Sequence, residues 1–168
     1  MSTADLEIKV RPMSFMDLEA VFSIDKEIRA AGKTSATYKD FTTQQVLGAE
    51  IDKNASAKRS SKLEVAKLVD LGIVAEHQGK ICGFVLGRQT YIAERDIEEG
   101  EIAIMGVHPD YQGKLVATEL IDRICNLFRS RGVHRVRIGL DPSDKELQAF
   151  FERFDFRSQP IVYYNKNL

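Results

Sequence analysis

The run Val107-His108-Pro109-Asp110-Tyr111-Gln112-Gly113-Lys114-Leu115-Val116-Ala117 takes an apolar segment through a turn into a long amphipathic one. Backbone N–H groups in the first turn of a helix have no partner inside it and point outward. A strand that turns into a helix here therefore offers a ready site for a phosphate or pyrophosphate. Every helix has such an end, so the same residues can equally form a turn with nothing bound. The other reactive side chains are less suggestive. Cys82 and Cys125 lie among apolar neighbours and read as reduced core residues, and His77, His108 and His134 are scattered without metal-ligand spacing, so no metal is expected. The acidic stretch Glu94, Asp96, Glu98, Glu99 and Glu101 reads on its own as a solvated strand entrance.

The elements that must position this turn can be followed along the chain. Leu6–Arg11 alternates like a half-buried strand and Pro12 ends it; Ser14 then caps a helix whose apolar residues Phe15, Leu18, Val21, Phe22 and Ile28 recur at helical spacing. The polar segment Ala30–Ser61 predicts one short helix, Thr43–Ile51, and Leu63–Val69 fits helix or strand. Gly72–His77 and Ile81–Gly87, joined across Gln78-Gly79-Lys80, predict a hairpin. Glu101–Val107 is a strand, Gly113–Arg131 an amphipathic helix stopped by Gly132, and Val133–Leu140 a strand. Asp144–Arg153 follows as a short helix and Pro160–Lys166 as a closing strand. A strand-helix-strand unit over Glu101–Leu140 implies a right-handed crossover and a parallel pair, whereas the hairpin before it is antiparallel. The sheet is therefore expected to be mixed, in a single domain spanning residues 1–168.

Bulk properties narrow the function classes. A chain of 168 residues, 43% hydrophobic and 29% charged, has the composition of a soluble globular protein. Its net charge of −1 gives no support to nucleic-acid binding. No apolar stretch approaches the roughly 18 residues of a membrane span, and the start has no signal-peptide pattern, so a cytoplasmic location without membrane association is expected. A nucleotide-binding parallel sheet is disfavoured because no glycine-rich turn follows the first strand.

The turn resembles the pyrophosphate loop of the GNAT superfamily of acyl-CoA-dependent N-acyltransferases, written as Gln or Arg, two residues, Gly, one residue, then Gly or Ala. Gln112 and Ala117 match; Leu115 stands in place of the middle Gly. The resemblance covers nearly the whole chain. Ile8–Met13 with the helix through Asp17–Val21 is similar to the family's opening, the hairpin around Gln78–Phe84 to its second and third strands, and Phe150–Phe156 to its closing helix motif. It implies an α/β (α+β) fold: a mixed, largely antiparallel sheet of six to seven strands with a central splayed parallel pair, flanked by about four helices.

The implied activity is transfer of an acetyl group from acetyl-CoA to a primary amine by direct attack through a tetrahedral intermediate. Acetyl-CoA would wedge between Glu101–Val107 and Val133–Leu140, held by backbone groups near Met105 and Val107 and by Gln112, Gly113, Lys114, Leu115, Val116 and Ala117. Asp144 and Phe151 are carried over as cofactor contacts. Asp144 stands where the family usually has Asn, and Phe151 where it often has a Tyr that protonates the departing thiolate. Tyr111, Tyr163 and Tyr164 are the substitutes considered for that acid. Asp155 replaces a Gly before Phe156. An amine of ordinary pKa, about 10.4, is protonated at neutral pH, so a base is wanted. Glu101 falls where a number of family members carry a catalytic glutamate.

The alternative is a catalytically weakened module on the same fold that binds CoA or a protein partner, a reading favoured by Leu115 and Phe151. The acceptor would lie against parts of Ala30–Ser61 and Thr90–Gly100, where the acidic residues suit a cationic amine. The strand Ile161–Asn165 can pair within the chain or with a second copy, as a homodimer.

Overall fold

The computed structural model describes residues 7–32, 66–67, 69–93, 96–160 and 166. Its strands are β1 (Lys9–Pro12), β2 (Gly72–His77), β3 (Lys80–Ile92), β4 (Ile97–Val107) and β5 (Arg135–Ile138). Its α-helices are α1 (Leu18–Ala30), α2 (Val116–Ser130) and α3 (Lys145–Glu152). The strands form one sheet in the order β1-β2-β3-β4-β5. Every neighbouring pair is antiparallel except β4 and β5, which run parallel as the crossover through α2 requires.

Two apolar layers clamp the sheet. On one face Val21, Ile24 and Ile28 of α1 pack with Val74, Phe84, Leu86 and Ile104. On the other, Val116, Leu120, Ile121, Ile124 and Phe128 of α2 pack with Ile73, Val85, Ile102 and Met105. With Cys125, which is only partly buried, these five α2 residues are the apolar stripe of its sequence; the five are all within 1% exposure, and the stripe accounts for why the segment is a helix. The helix lies close on the sheet because Gly87 and Gly100 leave room for Phe128. A Cβ at Gly87 would stand 2.8 Å from Phe128 Cζ, and one at Gly100 2.9 Å from Cδ1.

Several expectations are corrected. The described residues hold five strands and three α-helices, with further helical residues at 66–67 and 69–70, against the expected six to seven strands and about four helices. The expected helix Thr43–Ile51 lies outside the described residues, as does the closing strand Pro160–Lys166 apart from its two ends. Residues 66–67 and 69–70 are helical, which decides the ambiguity there. The first strand is shorter than read, and the helix after it begins with a 3₁₀ turn at Phe15–Asp17 before α1. The acidic stretch is not a strand entrance: β3 and β4 continue as a long hairpin, pairing Arg88 with Glu101, Gln89 with Gly100 and Tyr91 with Glu98. This arm is held by polar cross-strand contacts. The Tyr91 hydroxyl donates to Asp96 at 2.6 Å and the Gln89 amide to Glu98 at 3.2 Å. Arg88–Tyr91 are exposed, so this part of β3 lacks the apolar alternation by which strands are read. The β2–β3 turn behaves as expected, with Gln78 and Gly79 both at positive φ, 49° and 77°.

Asp17 locks β1 to the start of α1. Its carboxylate accepts from Arg11 Nη1 and Nη2, both at 2.8 Å, and from the Ser14 N–H at 2.8 Å. The Arg11 guanidinium, with Ser14, holds the carboxyl down from 3.8 to about 2 despite its burial. A carboxyl depressed on folding contributes stability that is complete above its unfolded value. That contribution fades as the pH falls from about 4 toward 2, and here amounts to about 2 kcal/mol. Asp17→Asn is expected to lower the melting temperature at pH 7, with the gap from wild type closing as the pH falls to about 2. A gap that stays constant over that range would contradict the role given to the ion pair.

Candidate active site

The site is built by an interruption of β4. Its pairing with β3 steps from Gly87↔Ile102 to Leu86↔Ile104, so Ala103 is an extra residue, a β-bulge. A bulge reverses which side chains face which layer. Before it, Gly100 and Ile102 face α2; after it, Gly106 faces α1, where a Cβ would stand 2.8 Å from Ile28 Cδ1. Glu99 and Glu101 therefore share the α1 face of the sheet. At the same place the other edge of β4 loses its neighbour: the parallel register runs Glu99↔Arg135, Gly100↔Val136, Glu101↔Arg137, Ile102↔Ile138 and stops. Beyond Ile102 the strand continues to Val107 without β5 beside it, and the two strands part.

The β4–α2 turn closes the end of this split. His108 Nδ1 accepts from the Asp110 N–H at 3.2 Å, and Pro109–Tyr111 make one 3₁₀ turn. The Gln112 side chain donates to the Val107 carbonyl at 3.1 Å and braces the turn against the strand. Gly113 (φ 75°) and Leu115 (φ 64°, ψ −1°) both take the left-handed conformation before α2 begins at Val116. Leu115 is the helix N-cap and offers no capping side chain, so the first-turn amides of α2 are left uncovered by their own cap. The Leu115 side chain is 73% exposed and points away from the core. A left-handed non-glycine residue costs about 1–2 kcal/mol, which accounts for glycine being the expected residue there.

The turn is also tied laterally. His108 Nε2 lies 2.7 Å from Glu27 Oε2 on α1. The Tyr111 ring meets His77 and His108 edge-on at 5.7 and 5.9 Å and carries the Lys114 ammonium at 5.3 Å.

Residues 39–156 match the acetyltransferase (GNAT) family. The chain belongs to this family. Among curated proteins it is 30% identical over 99 residues to an acetyltransferase of Yersinia pestis (strain Pestoides F), a match covering 59% of this chain and 66% of that one. An acetyltransferase of Yersinia enterocolitica is 29% identical over the same length. The matched region thus spans just under two thirds of these relatives. Among solved structures, the aminoglycoside N-acetyltransferase AAC(6')-Iy in complex with CoA superposes with a TM-score of 0.66 at 14% identity, over 100% of both chains. The ribosomal-protein-alanine N-acetyltransferase of Brucella melitensis gives 0.62 at 15%, over 96% of this chain and 99% of that one. At such identities the likeness is one of fold.

Within this GNAT fold the residues singled out from the sequence divide into two groups. Glu101, Met105, Val107, Gln112, Gly113, Lys114, Leu115, Val116 and Ala117 all lie along the split or on the turn that closes it. Met105 and Val107 are buried, with their side chains in the core cluster that includes α2, and the ligand contact expected of them is by backbone groups. Asp144 and Phe151 are placed differently. Asp144 caps α3, accepting from the Leu147 N–H at 3.0 Å, so one carboxylate oxygen is engaged within the protein. Phe151 is 1% exposed and packs edge-on against Phe150 and Phe156, each at 5.3 Å. It is a core residue rather than a lining of open surface, because without a hydroxyl nothing draws it toward water. Tyr111 is taken up by its ring contacts, and Tyr163 and Tyr164 lie outside the described residues. Asp155 takes φ 63°, so its replacement of glycine bears on a turn. Burial pushes the Cys82 thiol up to about 11, in keeping with an inert core residue.

Arg137 was not singled out from the sequence. Its guanidinium lies 3.1 Å from Glu99 Oε2 and 3.4 Å from Glu101 Oε2. A signal for it exists: Arg135 and Arg137 alternate with Val136 and Ile138, and the strand beside them presents Glu99 and Glu101 with the same period.

Proposed function

We propose that this chain, as one domain over residues 1–168, is an N-acetyltransferase that moves an acetyl group from acetyl-CoA to a primary amine. The observation that carries the reading is the parting of β4 from β5 at the Ala103 bulge, with Glu101 at its root and the uncapped start of α2 at its end. The naming of the Yersinia relatives as acetyltransferases, and a structural neighbour in complex with CoA, support it.

The residues present fit the donor. Gly113 has open space where a Cβ would be, and Leu115, although not glycine, adopts the glycine-like conformation with its side chain outward. Amides of Val116, Ala117 and Thr118 at the positive end of α2 would receive the pyrophosphate, with Lys114 adding charge. Backbone groups of β4 near Met105 and Val107 would hold the pantetheine and polarise the thioester carbonyl. The amine nitrogen attacks the carbonyl carbon, the carbon–sulfur bond breaks and CoA leaves as the thiolate. Glu101 takes the proton of the amine, directly or through one water. A thiol near pKa 8.5 leaves without much protonation, so Phe151 in place of a hydroxyl donor slows the step without preventing it. The acceptor meets the α1 face, where Glu99 and Glu101 suit a cationic amine.

The second reading, a regulatory module that binds CoA without catalysis, is favoured by Leu115 and by the burial of Phe151. Acetyl-CoA at about a hundred times its Kd is expected to stabilise the protein by ~2.7 kcal/mol, a rise of roughly 5–10 °C in Tm for a chain of this size. Leu115→Gly is expected to tighten acetyl-CoA binding about tenfold, since a glycine lets the phosphates approach the backbone. No shift with either protein would contradict the proposed donor site. Catalysis without a module role is then tested by acetyl transfer itself.

A further inference from the structure

Glu101 does not stand alone at the root of the split. It faces Arg137 across the parallel register, one residue pair before the last, and the guanidinium is shared unequally. The shorter contact, 3.1 Å, goes to Glu99, whose side chain is 9% exposed; the longer, 3.4 Å, goes to Glu101, at 31%. An arginine paired with one carboxylate alone tends to engage both of its oxygens in parallel, which leaves neither oxygen of a would-be base unoccupied. Here Glu99 takes one arm of the fork. Only Oε2 of Glu101 is held, and Oε1 has no hydrogen-bond or ion-pair partner among the described residues.

Resting on the N-acetyltransferase reading, we infer that Arg137 is a positioning residue for Glu101: anchored by buried Glu99, it fixes the Glu101 carboxylate at the root of the β4–β5 split with one oxygen free. The planar fork is needed because two carboxylates two residues apart on one strand must be bridged from the next, which a single ammonium point charge does less well. The placement of Arg137 on β5 matters as well. The orientation of the base is tied to the strand that must separate from β4, so the base keeps its position relative to the opening.

The test uses the full chain with acetyl-CoA and three amines: kanamycin, spermidine and a peptide with a free N-terminal alanine. Arg137→Ala is expected to lower kcat about 10- to 100-fold, the scale of a misplaced catalytic group, with the acetyl-CoA KM within about twofold of wild type. Guanidinium ion added to Arg137→Ala restores part of kcat, and Arg137→Lys retains part of it. Adding Arg137→Ala to Glu101→Gln costs nothing further, because Arg137 acts only through Glu101. Wild-type kcat in Arg137→Ala, or a loss that guanidinium does not rescue and that adds in full to Glu101→Gln, overturns the inference while the acetyltransferase reading stands. A wild-type protein that acetylates none of the three amines overturns that reading for these acceptor classes, and this inference with it.

Discussion

Glu101→Gln is expected to lower kcat by roughly 10²- to 10⁴-fold, the usual contribution of a positioned general base, with little change in the affinity for acetyl-CoA. Glutamine keeps the shape of the side chain and a hydrogen-bond acceptor but cannot take a proton. The residue sits on the α1 face of β4, whereas the proposed donor site is the β4 backbone and the α2 turn, so binding and catalysis are expected to separate. The loss should shrink as the pH is raised, because a larger share of the amine is then already deprotonated and needs no base. A variant with unchanged kcat at neutral pH would remove Glu101 from the mechanism, and a loss independent of pH would point to packing instead. Steady-state rates across pH, with an amine that supports turnover, distinguish these results.

Phe128→Ala is expected to give the largest loss of stability, about 3–5 kcal/mol, or a fall of roughly 6–20 °C in Tm. Phe128 is fully buried and fills the space that Gly87 and Gly100 leave between α2 and the sheet. Truncation leaves a cavity bounded by backbone, which cannot collapse as side chains can. The proposed donor site is expected to suffer as well, since α2 carries that turn at its other end. Gly100→Ala provides a matched test. In wild type its methyl meets the Phe128 ring at 2.9 Å and overpacks the interface by about 1–3 kcal/mol; with Phe128→Ala in place the methyl has room. The double variant should therefore be more stable than the sum of the two losses. Simple additivity would show that the ring is not seated between the two glycines.

Elements built on apolar periodicity were legible in the sequence. The stripe Val116, Leu120, Ile121, Ile124, Cys125 and Phe128 marks α2, and the runs either side of Gln78-Gly79 mark the hairpin, because burial on one face forces the pattern. The β3–β4 arm was not legible. Its strands are held by polar cross-strand partners such as Tyr91 with Asp96, so charged residues read as a solvated stretch where the backbone is paired. The bulge at Ala103 is equally silent. One extra residue in a run that is apolar on both faces leaves no break in alternation, yet it decides that Glu101 and Met105 face opposite layers.

At the site, motif spacing located the β4–α2 turn, and the left-handed conformations of Leu115 and Asp155 explain why glycine was expected at both. Arg137 escaped notice because an arginine on a short strand carries no motif. Its meaning comes from the register that sets it against Glu99 and Glu101. Phe151 was carried over as a cofactor contact on resemblance alone, and burial places it in the core.

The most direct test of the account is release of free CoA from acetyl-CoA in the presence of primary amines, with the amine product followed by mass spectrometry. The account predicts saturable release that requires an amine, a product heavier by one acetyl group, and loss of both in Glu101→Gln. Saturable acetyl-CoA binding with no acetylated product from any amine would contradict it, and would leave the chain a CoA-binding module on an acetyltransferase fold.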